Sequence, residues 1–463
     1  MRLKGSEIIE ACGGKLLQGK PEQYLSGFAI DSRQVRAGDF FIPFAGERTD
    51  GHLFIGRAAA AGAAGAFHEL VKAPDPEIPP GFLLIGVKDS LTALQQLASV
   101  YRDKFDLPVI GITGSSGKTT TKDFTAGVLS AKYNVLKTTG NLNNEIGLPL
   151  TILKLEESHQ VAVLEMGMSA GGEITTLCKI AKPSIGIITN IGEAHIELLG
   201  SIEAIAEAKG ELLDYLGSGG VAVLNGDDPR LLEIRKRYPG KAYYYGFNQG
   251  DIKGLKLSLR GEKSFFRVRF PDKSEGWFKA PLPGRESVSN ALAALTVGYI
   301  LELTLPQMEE GLAKSEVTAG RLQVLHNENG TGIIDDTYNA NPSSVRAALK
   351  VLAELGGVKT VAVLGDMLEL GPAAREAHLS IGRYAAECGI GCLVTVGELA
   401  HIIAGGASGS GISVYDCTDH DQALAVLKSL PLDENWYVLV KGSRGMQMEK
   451  IVQSLIREEG AGG

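Results

Sequence analysis

The 463-residue sequence has few cysteines and lacks long apolar runs. Its five cysteines are too few for a disulfide framework, and the nearest pair, Cys388 and Cys392, lacks the C-x2-C spacing typical of zinc sites. No stretch approaches the roughly 18 consecutive apolar residues of a membrane span. We therefore predict no membrane span and no disulfide framework, and we interpret the cysteines as buried or unreactive thiols.

Positive charge is not in excess either. The chain has 46 Lys and Arg residues against 54 Asp and Glu residues, which gives a formal net charge of -8. Broad attraction to nucleic acid or to anionic lipid is therefore disfavoured, although a local anion site remains open. The N-terminal segment becomes acidic at Glu7 before any apolar run, so we predict no secretory signal and expect a cytoplasmic protein.

Length and composition indicate a folded protein of several domains. At about 150 residues per domain, the chain should form about three. Hydrophobic residues at 44% and charged residues at 22% are typical of folded chains and argue against disorder. We predict a small N-terminal α/β domain at 1–85, a central α/β domain at 86–315 and a C-terminal Rossmann-like domain at 316–463.

Short apolar runs alternate with helical patterns in the second and third regions, which predicts parallel sheets buried on both faces. The predicted central strands are 109–112, 161–164, 185–189 and 221–224. The predicted C-terminal strands are 332–335, 359–364, 392–396 and 436–440. Between about 241 and 278 the runs are aromatic and alternating with no helix between them, which predicts an antiparallel annex to the central sheet.

The strongest motif is GITGSSGKTTT at 111–121, which follows an apolar run and precedes a helical pattern. Glycines let backbone N–H groups surround an anion, Lys118 can reach terminal phosphates, and the Thr119 hydroxyl can ligate magnesium. The glycines at 111 and 114 depart from the strict G-x4-G-K-[ST] spacing. We predict an ATP or GTP site whose candidate residues are Gly114, Ser115, Ser116, Gly117, Lys118, Thr119 and Thr120.

Three further residues are candidates for the same site. Glu165 ends the run 161–164 at the carboxyl edge of the predicted sheet, where a carboxylate can ligate magnesium. His195 follows the run 185–189 at the same edge, and Lys209 lies in a helical pattern. Taken alone, His195 is more often structural and Lys209 a solvated helix residue, but the phosphate motif favours a shared role. A phosphate motif alone does not separate kinases, GTPases and ligases.

These segments resemble those of the Mur ligases, the ATP-dependent amide-forming enzymes that build the cell-wall peptide on a UDP-linked sugar. The resemblance covers nearly the whole chain: 113–120 is similar to the ATP loop, 165–173 and 194–195 to the metal segments, and 208–211 to the site of a carbamylated lysine. It implies ATP and Mg²⁺ as cofactors, with Thr119 and Glu165 at one ion. It also implies a second ion, held by His195 and by a CO₂-derived carbamate on Lys209. Lys118, Glu165, His195 and Lys209 are the catalytic residues that the resemblance implies.

Four segments, at 335–342, 138–144, 364–370 and 441–444, are similar to those of the family members that add D-alanyl-D-alanine to UDP-N-acetylmuramoyl-tripeptide. The segments at 31–33 and 50–52 resemble a UDP-binding first domain, and the third domain is expected to bind the incoming dipeptide. The substrate-binding residues that the resemblance implies are Ser32, Arg33, Asp50, Thr138, Thr139, Asn141, Asn143, Asn339, Asn341, Lys441, Ser443 and Arg444.

The nucleotide side of the site contains one departure from the family pattern. Where the family commonly has G-x-H-N-x-x-N-A, residues 284–291 read GRESVSNA, so Asn290 is retained while Glu286 and Ser287 replace the His-Asn pair. Arg321 matches the arginine that approaches the nucleotide from the third domain, and Asp336 matches an aspartate at the ribose. Asn341-Pro342 is also a good helix start on its own.

The resemblance implies a reaction in which the tripeptide carboxylate attacks the γ-phosphate of ATP and the dipeptide amine displaces the resulting acyl phosphate. The close alternatives are the Mur ligase that adds the third amino acid, whose usual D-N-P-R signature we do not find, and a folylpolyglutamate synthetase-like ligase. A kinase or regulator with the same loop and a non-enzymatic scaffold are more distant alternatives. We expect a monomer with no nucleic-acid partner, and either lysine or diaminopimelate fits the tripeptide's third position.

Overall fold

The computed structural model describes residues 3–46, 49–72, 78–193, 196–356 and 359–457. Its strands are β1 (Leu3–Lys4), β2 (Lys15–Gln18), β3 (Tyr24–Leu25), β4 (Gly27–Ala29), β5 (Asp39–Phe41), β6 (Gly65–Glu69), β7 (Leu83–Val87), β8 (Val109–Thr113), β9 (Val135–Lys137), β10 (Val161–Glu165), β11 (Ile185–Ile188), β12 (Val221–Asn225), β13 (Lys241–Gly246), β14 (Ile252–Arg260), β15 (Lys263–Arg269), β16 (Glu275–Ala280), β17 (Gln323–His326), β18 (Gly332–Asp336), β19 (Thr360–Gly365), β20 (Cys392–Val396), β21 (Ser413–Cys417) and β22 (Tyr437–Lys441).

Helices alternate with these strands through most of the chain. The α-helices are α1 (Gly5–Cys12), α2 (Ile55–Ala60), α3 (Ser90–Arg102), α4 (Lys118–Ser130), α5 (Gly147–Ile152), α6 (Glu173–Ala181), α7 (Ile196–Leu199), α8 (Ile202–Leu216), α9 (Pro229–Arg235), α10 (Arg285–Ile300), α11 (Leu305–Ala313), α12 (Pro342–Gly356), α13 (Ala374–Glu387), α14 (Ala400–Ala407), α15 (His420–Ser429) and α16 (Glu449–Arg457). Short 3-10 helices cover Gly51–Phe54, Gly371–Ala373 and Arg444–Met446. Within the described ranges, no helix is long and apolar enough to span a bilayer.

The chain forms two compact units. The first comprises residues 1–111, 133–168 and 172–185, and the second comprises 112–132, 169–171 and 186–463. Each unit is assembled from several chain segments, so the domain boundaries at 85 and 315 stay predictions.

The first unit contains a five-stranded sheet in the order β2-β7-β6-β5-β4. Its strands pair in parallel except at the β2–β7 edge, which is antiparallel. Apolar side chains of β5, α2 and β6, such as Phe41, Ile55 and Ala66, form its core. The unit also contains β10, which pairs in parallel with β9 and ends at Glu165.

In the second unit, a ladder of five strands follows the order β12 to β16. β13 pairs in parallel with both β12 and β14, and antiparallel pairing begins with β14–β15 and continues to β16. The annex predicted from residue 241 is therefore antiparallel only from β14 onward. The prediction was wrong for β13 because aromatic alternation favours a strand but does not fix the direction of its partner.

The C-terminal part of the second unit is a six-stranded sheet in the order β17-β18-β22-β19-β20-β21. All its pairings are parallel except that of the edge strand β17. Alternate residues of β19 join different cores: Ala362 and Leu364 pack with α12 and α13, whereas Val361 and Val363 pack with α15 and α16. Burial on both faces confirms the predicted Rossmann-like α/β architecture.

The predicted strand bounds agree with the observed ones to within two residues at each end. The extensions matter for function, because β10, β18 and β22 run on to include Glu165, Asp336 and Lys441. Each of these charged side chains therefore lies at the carboxyl end of a parallel strand, the edge at which open α/β sheets bind ligands.

Candidate functional site

The phosphate motif forms a tight turn between β8 and α4. Gly114 has φ +144° and Gly117, the residue before α4, has φ +78°, so both adopt conformations that favour glycine. A Cβ atom on Gly114 would lie 1.9 Å from Thr189 Oγ1, and one on Gly117 would lie 2.5 Å from Asn290 Oδ1. The turn therefore requires glycine at both positions, and it directs the N-terminus of a 13-residue helix toward any bound anion.

The segment after β11 supports this turn. The Asn190 side chain accepts a hydrogen bond from the backbone N–H of Ser116 (3.0 Å) and donates one to its carbonyl (3.1 Å). Thr189 Oγ1 donates to the same carbonyl (2.6 Å), and the Ser115 N–H donates to the Asn190 carbonyl (3.0 Å). Sequence reasoning missed Thr189 and Asn190 as functional residues, although both lie in the segment that contains the predicted metal residue His195.

The polar residues at the start of α4 are largely buried. Thr119 is 4% exposed and Thr120 is 8% exposed. Lys118 Nζ donates a hydrogen bond to the Gly114 carbonyl (2.7 Å), which keeps its ammonium group at the turn. Asn290 of α10 accepts a hydrogen bond from Thr121 Oγ1 (3.2 Å) as well as facing Gly117. The structure thus brings together the predicted loop residues and the predicted nucleotide residue Asn290.

Arg321 reaches the same loop from the C-terminal part of the chain. Its Nη2 donates a hydrogen bond to Thr119 Oγ1 (3.1 Å), and its guanidinium carbon lies 3.9 Å from the centre of the Tyr338 ring. Its buried Nε has no acceptor among the described residues. The guanidinium is therefore fixed beside the loop with donor capacity remaining for an anion such as a phosphate.

Lys209 lies inside α8 and is 1% exposed. Burial lowers the pKa of its amine well below the usual value of 10.5, and the positive charge of Lys118 lowers it further. No carboxylate pairs with it within the described part of the chain. A neutral, nucleophilic amine is therefore favoured at this position, which is opposite to the solvated lysine that a helical sequence position suggests.

Asp336 and Lys441 form a buried ion pair at the ends of β18 and β22. Lys441 Nζ lies 2.5 Å from Asp336 Oδ2 and donates a second hydrogen bond to the Asn339 carbonyl (2.9 Å). Burial raises the pKa of Asp336 against the opposing charge of Lys441, and burial lowers the pKa of Lys441. Asp335, in contrast, caps a turn by accepting from the Thr337 N–H and hydroxyl.

A cleft beside this pair collects residues from three of the predicted substrate segments. Its cavity volume is about 110 Å³, and its lining residues are Glu193, Asn339, Ala340, Asn341, Leu368, Glu369, Leu370, Ser443, Arg444 and Gly445. The Ser443 hydroxyl accepts from the Leu368 N–H (2.9 Å), which ties two of these segments together. Sequence reasoning missed Glu193 and Glu369, and only their place inside recognised segments could have indicated them.

Two consecutive residues, Gly192 and Glu193, connect the phosphate turn to the cleft. The Gly192 N–H donates to Ser115 Oγ (2.8 Å), and Ser115 Oγ donates to the Gly192 carbonyl (3.0 Å). The next residue, Glu193, lines the cleft. The predicted role of Asn341 as a helix cap is confirmed, because its side-chain oxygen accepts a hydrogen bond from the Ser344 N–H (2.9 Å) at the start of α12.

In the first unit, Glu165 is 3% exposed and is held by two predicted substrate residues. Its Oε1 accepts from Asn143 Nδ2 (2.8 Å), and its N–H donates to Thr138 Oγ1 (3.0 Å). Thr138 is fully buried, so the structure gives it a supporting role at Glu165, whereas Thr139 and Asn141 are exposed. Direct substrate contacts by these residues stay predictions.

The predicted UDP-binding residues also lie in the first unit. Ser32 is buried, and the Arg33 guanidinium binds the Asp31 carboxylate and lowers its pKa to about 2. Burial alone would raise the pKa of Asp50, but hydrogen bonds from Lys72 and His52 outweigh it and hold the pKa at about 2. Asp50 also caps the 3-10 helix Gly51–Phe54, so its carboxylate already has a structural function.

The predicted metal histidine, His195, lies outside the described residues. Among the residues that are described, no group of three or more His, Cys, Asp or Glu side chains could hold a metal ion. The predicted ligands Thr119, Glu165 and Lys209 are described, but a hydroxyl and an amine do not belong to such a group.

Three protein-family models match the chain. They are the Mur ligase family catalytic domain at residues 25–102, the Mur ligase middle domain at 112–298 and the Mur ligase glutamate ligase domain at 320–444. Similar curated proteins include the UDP-N-acetylmuramoyl-tripeptide--D-alanyl-D-alanine ligases of Bacillus subtilis, 40% identical over 97% of both chains, and of Escherichia coli, 35% identical over 97% of both chains.

Solved structures give the same result. MurF from Acinetobacter baumannii is 32% identical, with a TM-score of 0.90 over 99% of both chains. The MurF ligase of Thermotoga maritima in complex with ADP is 30% identical, with a TM-score of 0.82 over 93% of this chain and 97% of that one.

Proposed function

The chain belongs to the Mur ligase family, and we propose that it joins D-alanyl-D-alanine to UDP-N-acetylmuramoyl-tripeptide at the expense of ATP. The product would be a precursor of peptidoglycan. Relatives that carry the name of this activity match the chain over nearly its full length, and so do solved MurF structures.

The observation that carries this proposal is the junction at residues 192–193. Gly192 is hydrogen-bonded to Ser115 of the phosphate turn, and Glu193 lines the cleft that contains the dipeptide-segment residues. A phosphoryl acceptor and an attacking amine must meet within a few ångströms for acyl transfer, so a triphosphate site and an amine site in direct succession fit a ligase. A GTPase would not require the second site, and a kinase would use it for a phosphoryl acceptor and not for an amine.

ATP binding is assigned to the turn and its neighbours. Residues Gly114 to Thr120 would form the phosphate site at the N-terminus of α4, and Lys118 and Arg321 would offset the negative charge of the phosphates. Asn290 and Asp336 would contact the nucleoside. The tripeptide carboxylate is itself an anion that approaches an anion, so positive charge fixed in advance lowers the barrier without reorganisation.

Magnesium fits the chemistry of the proposed ligands. Thr119 and Glu165 offer the oxygen donors that Mg²⁺ prefers, and we propose them for one ion. His195 and a carbamylated Lys209 are proposed for a second. When bound, magnesium would neutralise phosphate charge during transfer.

Carbamylation of Lys209 agrees with its environment. A neutral amine can add to CO₂, forming an N–C bond and releasing one proton, and the product is a carboxylate in place of a cation. Burial lowers the pKa of the Lys209 amine and so favours the neutral form, which is the form that adds to CO₂. The new carboxylate could also pair with Lys118, whose charge opposes the protonated amine.

The cleft has charges of both signs, as a zwitterionic dipeptide requires. Arg444 presents a guanidinium that suits the dipeptide carboxylate, and Glu193 and Glu369 present carboxylates that suit its ammonium group. Asn339, Asn341 and Ser443 add neutral hydrogen-bonding groups. In the first unit, Ser32, Arg33 and Asp50 are proposed for the UDP moiety, and Thr138, Thr139, Asn141 and Asn143 for the tripeptide side. We place the reaction in the cytoplasm, where ATP is available, and propose a monomer.

The test is ADP release from ATP and UDP-N-acetylmuramoyl-tripeptide, with and without D-alanyl-D-alanine. We expect release that depends on the dipeptide and a UDP-linked pentapeptide as product, with lysine and diaminopimelate tripeptides compared in parallel. Equal ADP release without the dipeptide would indicate an NTPase or kinase and refute the proposal. A single amino acid that replaced the dipeptide, or a folate substrate that replaced the UDP-tripeptide, would favour the alternative ligases.

A further inference from the structure

One face of α4 carries residues at intervals of four from the phosphate turn to the far end of the helix. Thr119, Asp123 and Gly127 are one turn apart, so their side-chain positions share this face. The segment that joins α11 to β17 contacts the same face in the reverse direction. Its contact residues are Ser315, Thr318 and Arg321.

The central contact joins Asp123 to Thr318. Asp123 Oδ2 accepts hydrogen bonds from both the Thr318 N–H (2.9 Å) and the Thr318 hydroxyl (2.8 Å). Asp123 is 1% exposed, and its other oxygen lies 3.1 Å from Nζ of the equally buried Lys122. Hydrogen bonds to a buried charged acceptor are among the stronger ones in proteins, so this contact fixes the register of the segment on α4.

The two outer contacts agree with that register. At one end, a Cβ on Gly127 would lie 2.1 Å from Ser315 Oγ, so the backbones approach closely and only glycine fits. At the other end, Arg321 donates to Thr119 Oγ1 (3.1 Å). Because Thr318 and Arg321 are three residues apart, a shift of the segment at Asp123 would move the guanidinium away from the phosphate turn.

The backbone around Arg321 needs such an anchor. Gly320 has φ +73° and Leu322, which is not glycine, has φ +57°. A left-handed conformation at a leucine is unfavourable and persists only where neighbouring contacts impose it. The segment before Arg321 is held at three described points: the Tyr338 N–H donates to the Gly320 carbonyl (3.1 Å), Gln323 Nε2 donates to the Val317 carbonyl (3.1 Å), and Asp123 accepts from the Thr318 N–H (2.9 Å). Of these, the contact with Asp123 ties the segment to α4.

We infer that Asp123 is a positioning residue, which acts through Thr318 to hold Arg321 at the phosphate turn. This inference rests on the proposed function of Arg321 as a nucleotide contact. It assigns Asp123 an effect on the phosphoryl-transfer step although its own carboxylate is buried and one helical turn away from the turn residues.

The central variant is Thr318→Val, which removes the hydroxyl while keeping the shape of the side chain and the backbone hydrogen bond. Thr318→Ser keeps the hydroxyl and serves as the conservative rescue. We expect Thr318→Val to lower kcat about ten-fold, as the loss of one hydrogen bond to a charged group suggests. The KM for the UDP-tripeptide should remain within two-fold of the wild-type value, and Thr318→Ser should retain most of the activity.

A double-mutant cycle with Arg321→Ala tests whether the effect passes through Arg321. If Asp123 and Thr318 act by positioning that arginine, Thr318→Val should lower kcat less than two-fold once Arg321 is absent. An equal ten-fold loss in both backgrounds would overturn the inference. The proposed function of Arg321 is tested separately by the single variant, since wild-type kcat and ATP KM in Arg321→Ala would refute that function whatever Thr318→Val does.

A matched variant separates positioning from general destabilisation. Thr304 Oγ1 caps α11 by accepting from the Gln307 N–H (3.4 Å), so Thr304→Val removes a threonine hydroxyl elsewhere in the same unit. We expect it to lower Tm, as the loss of a helix cap does, but to leave kcat at 25 °C unchanged. If the kcat values of both variants fell in proportion to their Tm values, the loss at Thr318 would be structural and the inference wrong.

Discussion

The burial of Lys209 leads to a prediction about stability as well as activity. Lys209→Met replaces a buried amine by an apolar side chain of similar length. At neutral pH the wild-type fold must hold Lys209 either neutral or charged in an apolar environment, and both states are less favourable than a solvated ammonium group. We therefore expect the variant to have no ligase activity and a larger free energy of unfolding.

The expected gain in stability follows from the direction of the pKa shift of Lys209. Each unit by which burial lowers the pKa of a lysine costs the fold about 1.4 kcal/mol at pH values below the folded pKa. Because burial lowers the pKa of Lys209 well below 10.5, Lys209→Met should be more stable than the wild type at acidic to neutral pH. Loss of the repulsion from Lys118 acts in the same direction.

The pH dependence has a definite sign. The folded protein binds fewer protons than the unfolded chain between the lowered folded pKa and the usual value near 10.5, so wild-type stability relative to the variant rises with pH in that interval. The advantage of Lys209→Met should thus be largest at low pH and shrink toward pH 10. Urea denaturation at several pH values measures it. A variant less stable than wild type at neutral pH, or a difference independent of pH, would refute this explanation.

Carbamylation adds a second measurement that does not depend on activity. If CO₂ converts Lys209 to a carboxylate that pairs with Lys118, bicarbonate should raise the Tm of the wild-type protein and leave that of Lys209→Met unchanged. Lys209→Ala assayed with added formate or acetate gives the catalytic counterpart, since a small carboxylate could occupy the vacated position. Equal responses of wild type and Lys209→Met to bicarbonate would count against the carbamate.

Three further predictions concern the phosphate turn and the first unit. Lys118→Ala should lower kcat at least ~100-fold by removing fixed positive charge, while UDP-tripeptide affinity measured by calorimetry stays near wild type; parallel losses would contradict the assignment of Lys118 to the phosphates. Gly117→Ala should abolish ATP binding because of its φ of +78° and the Asn290 contact, whereas Gly219→Ala, where a Cβ meets no atom within 4 Å, should bind ATP normally. Asp50→Asn should lower the free energy of unfolding by up to about 2 kcal/mol above pH 4, because the folded pKa of Asp50, about 2, is below the usual 3.8. The difference in stability between variant and wild type should vanish as the pH falls toward 2. A difference that persists there would exclude the Lys72 and His52 contacts as its cause.

Local sequence determined most of what could be predicted correctly. Central strands such as β10, β19 and β20 are apolar runs because they are buried on both faces. The turn at Gly114 and Gly117 is visible because positive φ requires glycine. Asn341 acts as a helix cap through contacts within its own turn. These features depend on neighbours in the chain, so the sequence displays them directly.

Features that depend on distant residues were not predictable in the same way. The parallel pairing of β13 depends on which strand lies beside it, and the burial of Lys209 depends on the packing around α8. Glu193 and Glu369 become cleft residues only when two segments far apart in sequence meet. A charged residue in a helical pattern is most often solvated, and only the fold shows that Lys209 is an exception.

The buried charges of the second unit support a single interpretation of its chemistry. Lys209 and Lys441 are both almost fully buried, but only Lys441 has a carboxylate partner among the described residues, Asp336 at 2.5 Å. Loss of one member of a buried ion pair is costly because it leaves an uncompensated charge. Asp336 and Lys441 therefore each have a structural reason to be present, which is to compensate the charge of the other. Lys209 has no such explanation, and both burial and the charge of Lys118 disfavour its ammonium form. A side chain that destabilises the fold where methionine would not is expected at a functional position, and conversion of its amine to a carboxylate would turn the repulsion from Lys118 into attraction.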